Sequence, residues 1–397
     1  MPALHHVALN SSHLDHFISF DSTTGILEAE AGVTLERILN FCIPKGFFLP
    51  VTPGTKFVSL GGALASNVHG KNHHKTGSIE HFVIEMEVAT PAGTFVCSLD
   101  QNRELFLSTM GGYGLTGAIT RAKLKLKPVQ NAQVECLRVK AANIDDMFGL
   151  FAKHDPDYEY SVAWLDTLAK GRKLGRGILM LGNHAQVNAG ERKIEATEVS
   201  HKFSVSIPFA MPDFLLNEKF LTLFNRAFYL VSGNGKRTRE NFESYFYPLD
   251  RIGNWNLLYG KSGFFQYQCV IPDPKSEEGI LACLNFLSEN RLGAFLSVLK
   301  RCGDDEVLLL FCKKGYTLAL DIPFRGPETL KSLDRLDELV LKFGGRVYLT
   351  KDARLKPDMF RAMYPEFKEW METVRRFNPN RLSSSRMAER LELWNES

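Results

Sequence analysis

The sequence predicts an α+β protein of two domains, and three observations carry that reading. Its 397 residues, at about 150 per domain, suit two or three domains. In the first third, apolar stripes at helical spacing interleave with alternating, strand-like runs. Beyond Pro128 the texture shifts to several β-rich runs separated by helical stretches, the pattern of a second α+β domain with a mostly antiparallel sheet.

Composition bounds the class. At 44% apolar and 11% aromatic residues the chain is globular, which excludes disordered, collagenous and coiled-coil proteins. Lys+Arg 48 against Asp+Glu 45 leaves +3, too little for a general nucleic-acid binder. A local basic pocket for one anion remains compatible. Seven scattered cysteines, with no C-x-x-C, argue against a disulfide framework or zinc ribbon and for reduced thiols in a cytoplasm. The opening residues show no signal-peptide pattern, and runs such as 307–311 are too short to span a bilayer.

The elements follow in order. Residues 26–31 read as a strand between Gly25 and Gly32. Thr34 is placed to cap a helix whose stripe is Leu35, Ile38, Leu39 and Cys42, ended by Pro44 and Gly46. Ile84, Met86 and Val88 alternate with Glu85 and Glu87, a half-buried strand, with a turn at 91–93 and a returning strand at 94–97. Residues 104–108 read as helix and 121–127 as a strand with one basic, solvated face. Between them Gly112, Gly114 and Gly117 match G-x-G-x-x-G. A dinucleotide site of the Rossmann kind needs a strand before and a helix after, so this order reads instead as a packed Gly-rich turn. In the second domain strands are expected at 177–181, 264–271, 294–300, 307–312 and 316–323, and helices at 214–230, 277–289 and 328–343. After Tyr348 the chain turns helical, with a stripe at Phe367, Trp370, Met371 and Val374.

Chemistry concentrates in 50–74, PVTPGTKFVSLGGALASNVHGKNHH. A tight turn at Gly54 precedes small residues from Ser59 to Gly70, which let backbone amides approach a phosphate. His69, Lys71, Asn72, His73 and His74 add donors and titratable groups. No metal is expected, because Gly70 breaks the helical spacing and no nearby carboxylate or cysteine completes a set. Gln266 and Gln268, two apart on a strand, share a face on which Tyr259 and Lys300 can join them, while Phe265 and Tyr267 take the core face.

GGALASNVHGKNHH, TGSIEHFV and LFLSTMGGYGLTGAIT resemble the FAD-binding domain of the vanillyl-alcohol oxidase/p-cresol methylhydroxylase (PCMH) superfamily. The resemblance continues through 160–166, 247–272, 317–324 and 344–370, in order along nearly the whole chain. It implies a two-domain PCMH-type flavoprotein: an FAD domain at 1–131, a substrate/cap domain at 132–345 and a tail at 346–397 that returns to the FAD domain. It implies non-covalent FAD held by Gly54, Ser59, Leu60, Gly61, Gly62, Ser66, Asn67, Val68, His69, Gly117, Ala118, Ile119 and Tyr348. On this reading the Gly-rich turn belongs to the FAD site after all.

The implied reaction is hydride transfer from a sugar carbinol to flavin, with Lys351 and His69 catalytic and Tyr259, Gln266, Gln268, Lys300 and Lys71 binding sugar and phosphate. The implied substrate is a polyprenyl-phosphate pentose; a sugar lactone, or a cofactor-poor scaffold with no activity, are the alternatives. A short-chain reductase is the implied partner, and the inner membrane face the implied location. The family's first strand, helix and Gly/Arg/Ser-rich phosphate loop have no counterpart here, so the FAD domain is expected to be incomplete at its N-terminus.

Overall fold

A computed structural model describes residues 9–186, 205–207, 218–294 and 296–395. The first unit is built on a five-stranded antiparallel sheet. Its strands are β1 (Phe17–Asp21), β2 (Ile26–Glu30), β3 (Val83–Thr90), β4 (Gly93–Cys97) and β5 (Ala118–Lys125), in the order β1-β2-β5-β3-β4. Helix α1 (Leu35–Cys42) buries the stripe expected of it, and Thr34 caps it by accepting from Arg37 N. Helix α2 (Leu60–Ala65) packs against β5, and Gly61 is required beside Ala31, just past β2: a Cβ there would sit 2.9 Å from Ala31 Cβ.

Two details differ from the alternation. Ile84 is exposed, because a bulge between Val83 and Glu85 turns it out while Met86 and Val88 stay buried. The basic face of β5 is not bare. Arg121 pairs with Glu28 and Glu87, and Lys123 with Glu85 at 2.7 Å. Helix α3 (Arg103–Thr109) precedes the Gly-rich turn and β5 follows it, the order that excluded a Rossmann site.

The second unit is an eight-stranded, wholly antiparallel sheet. Its strands are β6 (Gln133–Ala141), β7 (Tyr160–Leu165), β8 (Gly177–His184), β9 (Arg237–Asn241), β10 (Phe264–Pro272), β11 (Ser297–Cys302), β12 (Gly315–Pro323) and β13 (Arg346–Val347). They run in the order β9-β6-β8-β7-β11-β12-β10-β13. Helices α4 (Ile144–His154), α6 (Ser276–Glu289) and α7 (Pro327–Lys342) cover one face, and α5 (Glu218–Val231) lies beside β7. The expected helix start at 214–217 lies outside the described residues.

The expected strand at 307–312 is irregular chain instead. Its apolar side chains are spent bridging the two cores: Val307 packs in the first and Leu309 in the second. Leu308 N donates to Leu107 O rather than to a strand partner. The tail joins the two units. Strand β13 pairs with β10, and α8 (Pro357–Met363) and α9 (Phe367–Phe377) pack on the second core. Trp370 Nε1 then donates to Ser108 O at 3.0 Å and Asn378 Nδ2 to Leu115 O at 3.0 Å, both in the first unit.

Candidate active site

The site forms where the bare face of the eight-stranded sheet meets the first unit. Period-two alternation puts Gln266, Gln268 and Val270 of β10 on that face, with Asp321, Ala319 and Thr317 of β12 directly opposite. Lys300 of β11 pairs with Thr317 and carries Cys302, two residues on, along the same face. Tyr267, Cys269 and Ile271 point the other way into the core, as the glutamine spacing demands.

His69 arrives from the first unit, just beyond α2. Asn67 turns the chain there in the left-handed region, at φ 39, and its side-chain amide holds the turn by donating to the Glu80 carboxylate and accepting from Glu80 N. Gln268 Nε2 lies 2.9 Å from His69 Nε2 and 3.1 Å from Thr317 Oγ1. Thr317 spends its own proton on Cys269 O at 2.8 Å, so it accepts from the Gln268 amide. That fixes the amide's orientation and makes His69 Nε2 an acceptor. The remaining proton sits on Nδ1, a buried atom with no partner among the described residues. Burial, with Lys300, His73 and Lys351 adding to it, holds the imidazole well below its usual pKa, so it is neutral. His69 thus offers a hydrogen-bond donor to the site rather than a free base.

The tail closes the other side. Tyr348 N donates to Gln268 O at 2.8 Å, and its hydroxyl donates to Ser66 O at 2.9 Å. Its ring stacks on Phe311 at 4.3 Å and lies 5.1 Å from the His69 ring. Lys351 does not pair with Asp352, which binds Arg390 at 2.6 Å. It faces Asp321 instead. Burial pulls Lys351 down to about 8, with Asp321 opposing and Lys300 assisting. Burial pushes Asp321 up to about 6, against Lys351, Gln266 and Tyr259. Gln266 Nε2 donates to Asp321 Oδ1 at 3.2 Å, and Tyr259 OH donates to Oδ2 at 3.4 Å.

Lys300 Nζ is 3.5 Å from Gly70 O, and Lys71 donates to Tyr245 O with its ammonium 4.3 Å from that ring's centre. Burial pulls Lys71 down to about 7, and Lys300 adds to the shift. No ion pair to Lys71, Lys300 or Lys351 is present among the described residues.

The structure therefore brings His69, Tyr259, Gln266, Gln268, Lys300, Tyr348 and Lys351 into one cluster, with Lys71 beside it. Gly117, Ala118 and Ile119 stand apart at the start of β5, where Gly117 allows close approach to Ala89. The amides of Leu60 and Gly61, expected to face a phosphate, donate to Val33 O and Ala31 O. Open backbone lies instead at Gly54, where a Cβ would meet nothing within 4 Å. Asp321, Thr317 and Phe311 were not singled out from sequence. A carboxylate in the alternating run TLALD is the signal that marks Asp321.

These residues fit FAD. An orphaned Nδ1–H, the side chains of Lys71 and Lys300 with no ion pair among the described residues, and an open glycine turn at the edge of the first unit suit an oxygen-rich, anionic cofactor. Fold and site together define a flavin-dependent oxidoreductase. A family model described as "FAD binding domain" matches residues 4–98. Decaprenylphosphoryl-beta-D-ribose oxidase of Mycolicibacterium smegmatis is 33% identical over 97% of this chain and 84% of that protein. An uncharacterized protein in the mprA 5' region of Streptomyces coelicolor is 29% identical over 91% of this chain and all of its own length. The D-2-hydroxyglutarate dehydrogenase of Arabidopsis thaliana is 28% identical over 34% of this chain and 26% of its own. The chain belongs to the FAD-binding, PCMH-type oxidoreductase family, as an FAD-dependent enzyme acting on CH–OH groups.

Proposed function

We propose that this enzyme oxidises the 2′-hydroxyl of a pentose carried on a polyprenyl phosphate to a ketone, one half of an epimerisation. The observation that carries this reading is the set Lys71, Lys300 and Lys351, with no ion pair among the described residues, around the neutral polar groups of Gln266, Gln268 and Tyr259. Neutral amides and a phenol suit sugar hydroxyls, and the surplus ammonium groups suit a phosphate. The similarity to an oxidase of a decaprenylphosphoryl ribose supports the same substrate class.

Bound FAD supplies the acceptor for the hydride leaving the carbinol carbon. The residues that would hold it are Gly54, Ser59, Leu60, Gly61, Gly62, Ser66, Asn67, Val68, His69 and Tyr348, with Gly117, Ala118 and Ile119 further along the first unit. His69 Nδ1–H orients an oxygen in the site. Asp321, ionised above about pH 6, receives the hydroxyl proton. Lys351, cationic below about pH 8, balances the negative charge that develops as the hydride leaves. Lys300 and Lys71 hold the phosphate.

A ketose product calls for a reductase to complete epimerisation, and a short-chain reductase is the proposed partner. A lipid-linked substrate places the enzyme at the inner membrane face. No helix among the described residues is long and apolar enough to cross a membrane. The test is anaerobic bleaching of the flavin absorption on adding a polyprenyl-phosphoryl ribose, an aldonolactone or a 2-hydroxy acid. Bleaching by the first is expected. Bleaching only by a lactone or hydroxy acid, or a chain that takes up no FAD, overturns the reading.

A further inference from the structure

One pair of thiols in the wall of this site has no role in the reaction above. Cys302 ends β11 on the same face as Lys300, and Cys312 lies past the irregular stretch 303–311. Both side chains are buried, both are free, and both pack with Phe311 and Tyr348. Their sulfurs and a ring nitrogen of His73 all lie within 4.8 Å of one another.

His73 is not free to share a metal with them. Its Nδ1 accepts from Gly303 N at 2.9 Å, and its Nε2 donates to Asp305 at 3.0 Å. The intervening stretch is pinned at points along its length. Asp305 accepts from Ser78 N at 2.9 Å, Glu306 N donates to Glu80 at 3.0 Å, and Arg346 donates to Leu310 O. A bond between the two sulfurs would therefore pull on Phe311, the ring stacked against Tyr348.

We propose that Cys302 and Cys312 are a reversible redox pair, oxidised by a hydroperoxide to an intramolecular disulfide that ties the 303–311 stretch to the end of β11. Cys302 thiolate attacks the O–O bond: an S–O bond forms, the O–O bond breaks, and the departing alkoxide or hydroxide takes a proton. Cys312 then attacks the sulfenic sulfur. The S–S bond forms, the S–O bond breaks, and hydroxide leaves with the Cys312 proton as water. Two thiols and one hydroperoxide thus become a disulfide, an alcohol or water, and one further water. Cys302 suits the attacking role: the neighbouring Cys312 thiol, with His73 and Lys300 assisting against burial and Asp305, brings it to about 7. A second pair, Cys269 and Cys283, shows the contrast. It is buried in the opposite core, where the neighbouring Cys283 thiol and burial push Cys269 well above its usual value.

The test uses the FAD-loaded enzyme, hydrogen peroxide and peptide mapping after alkylation. A Cys302–Cys312 bridge, two hydrogens lighter and reversed by dithiothreitol, is expected before any change at Cys269 or Cys283. In Cys312→Ser, a dimedone-trapped sulfenic acid at Cys302 is expected instead; should that variant fail to fold, the wild-type map decides alone. Oxidation also removes the anion beside Lys300, so acetic anhydride labels Lys300 faster in the oxidised protein. Sulfinic acid at Cys302 with Cys312 still a thiol overturns the proposal. So do two thiols left alkylatable under peroxide that already oxidises methionines of the same chain.

Discussion

Lys351→Met tests the electrostatics of the site, because it separates the cost of a buried cation from its use. The ordinary value of 10.5 falls to about 8 in the fold. That difference corresponds to about 3 kcal/mol of penalty on the charged form, net of attraction to Asp321. The side chain is half-buried, so residual solvent screening reduces this to about 2 kcal/mol. The folded value lies below the unfolded one. The penalty is therefore fully present below about pH 8 and fades as pH rises towards 10.5, where both states release the proton. Methionine matches the stem and omits the charge. The variant, stripped of FAD, is expected to unfold about 2 kcal/mol harder than wild type at pH 7, a rise of a few degrees in Tm. The gap closes at alkaline pH. With FAD and substrate the same variant loses about 10²–10³-fold in kcat, as removal of one preorganised charge does elsewhere. Denaturant titrations at pH 7 and above pH 10, paired with single-turnover rates, measure both. A variant less stable at pH 7, or a gap indifferent to pH, refutes the reasoning.

Asp321→Asn keeps the hydrogen bonds' shape but not the base. Wild-type kcat/KM falls as pH drops through about 6, where Asp321 takes a proton, and the variant loses that acid limb along with about 10²-fold or more of kcat. Asp305→Ala strands His73 and Ser78 in the wall between the units and costs about 3–5 kcal/mol in a denaturant titration at pH 7. Burial raises the Asp305 carboxyl, but bonds from His73, His81 and Ser78 outweigh it and hold it well below the usual range. Its contribution is thus lost as pH falls into the acid range, and the variant's stability is flatter there.

Much of the scaffold was legible because it rests on local rules. The α1 stripe with its Thr34 cap, the Phe367-to-Val374 stripe of α9, and the helix–turn–strand order around Gly112–Gly117 all follow from neighbours in sequence. Where the reading missed, contacts distant in sequence had intervened. Ile84 points outward because of a bulge against β5, and 307–312 is irregular because both cores compete for its side chains. Seen along the sequence, β6, β7 and β9 carried no clear signal, since their partners are supplied by the eight-stranded sheet.

The site divides the same way. Spacing placed Gln266 and Gln268 on one face, and the small-residue run marked His69 beside it, because period-two alternation and residue chemistry are local properties; Lys351 came only from the family resemblance. Tertiary structure alone set Asp321 against Lys351, turned His69 into a donor through Gln268 and Thr317, and gave His73 two cysteine neighbours that sequence reading had found lacking. Strand order and register decide which side chains from separate strands meet. Those depend on long-range pairing across 200 residues, as between His69 and Gln268, and no local pattern encodes them.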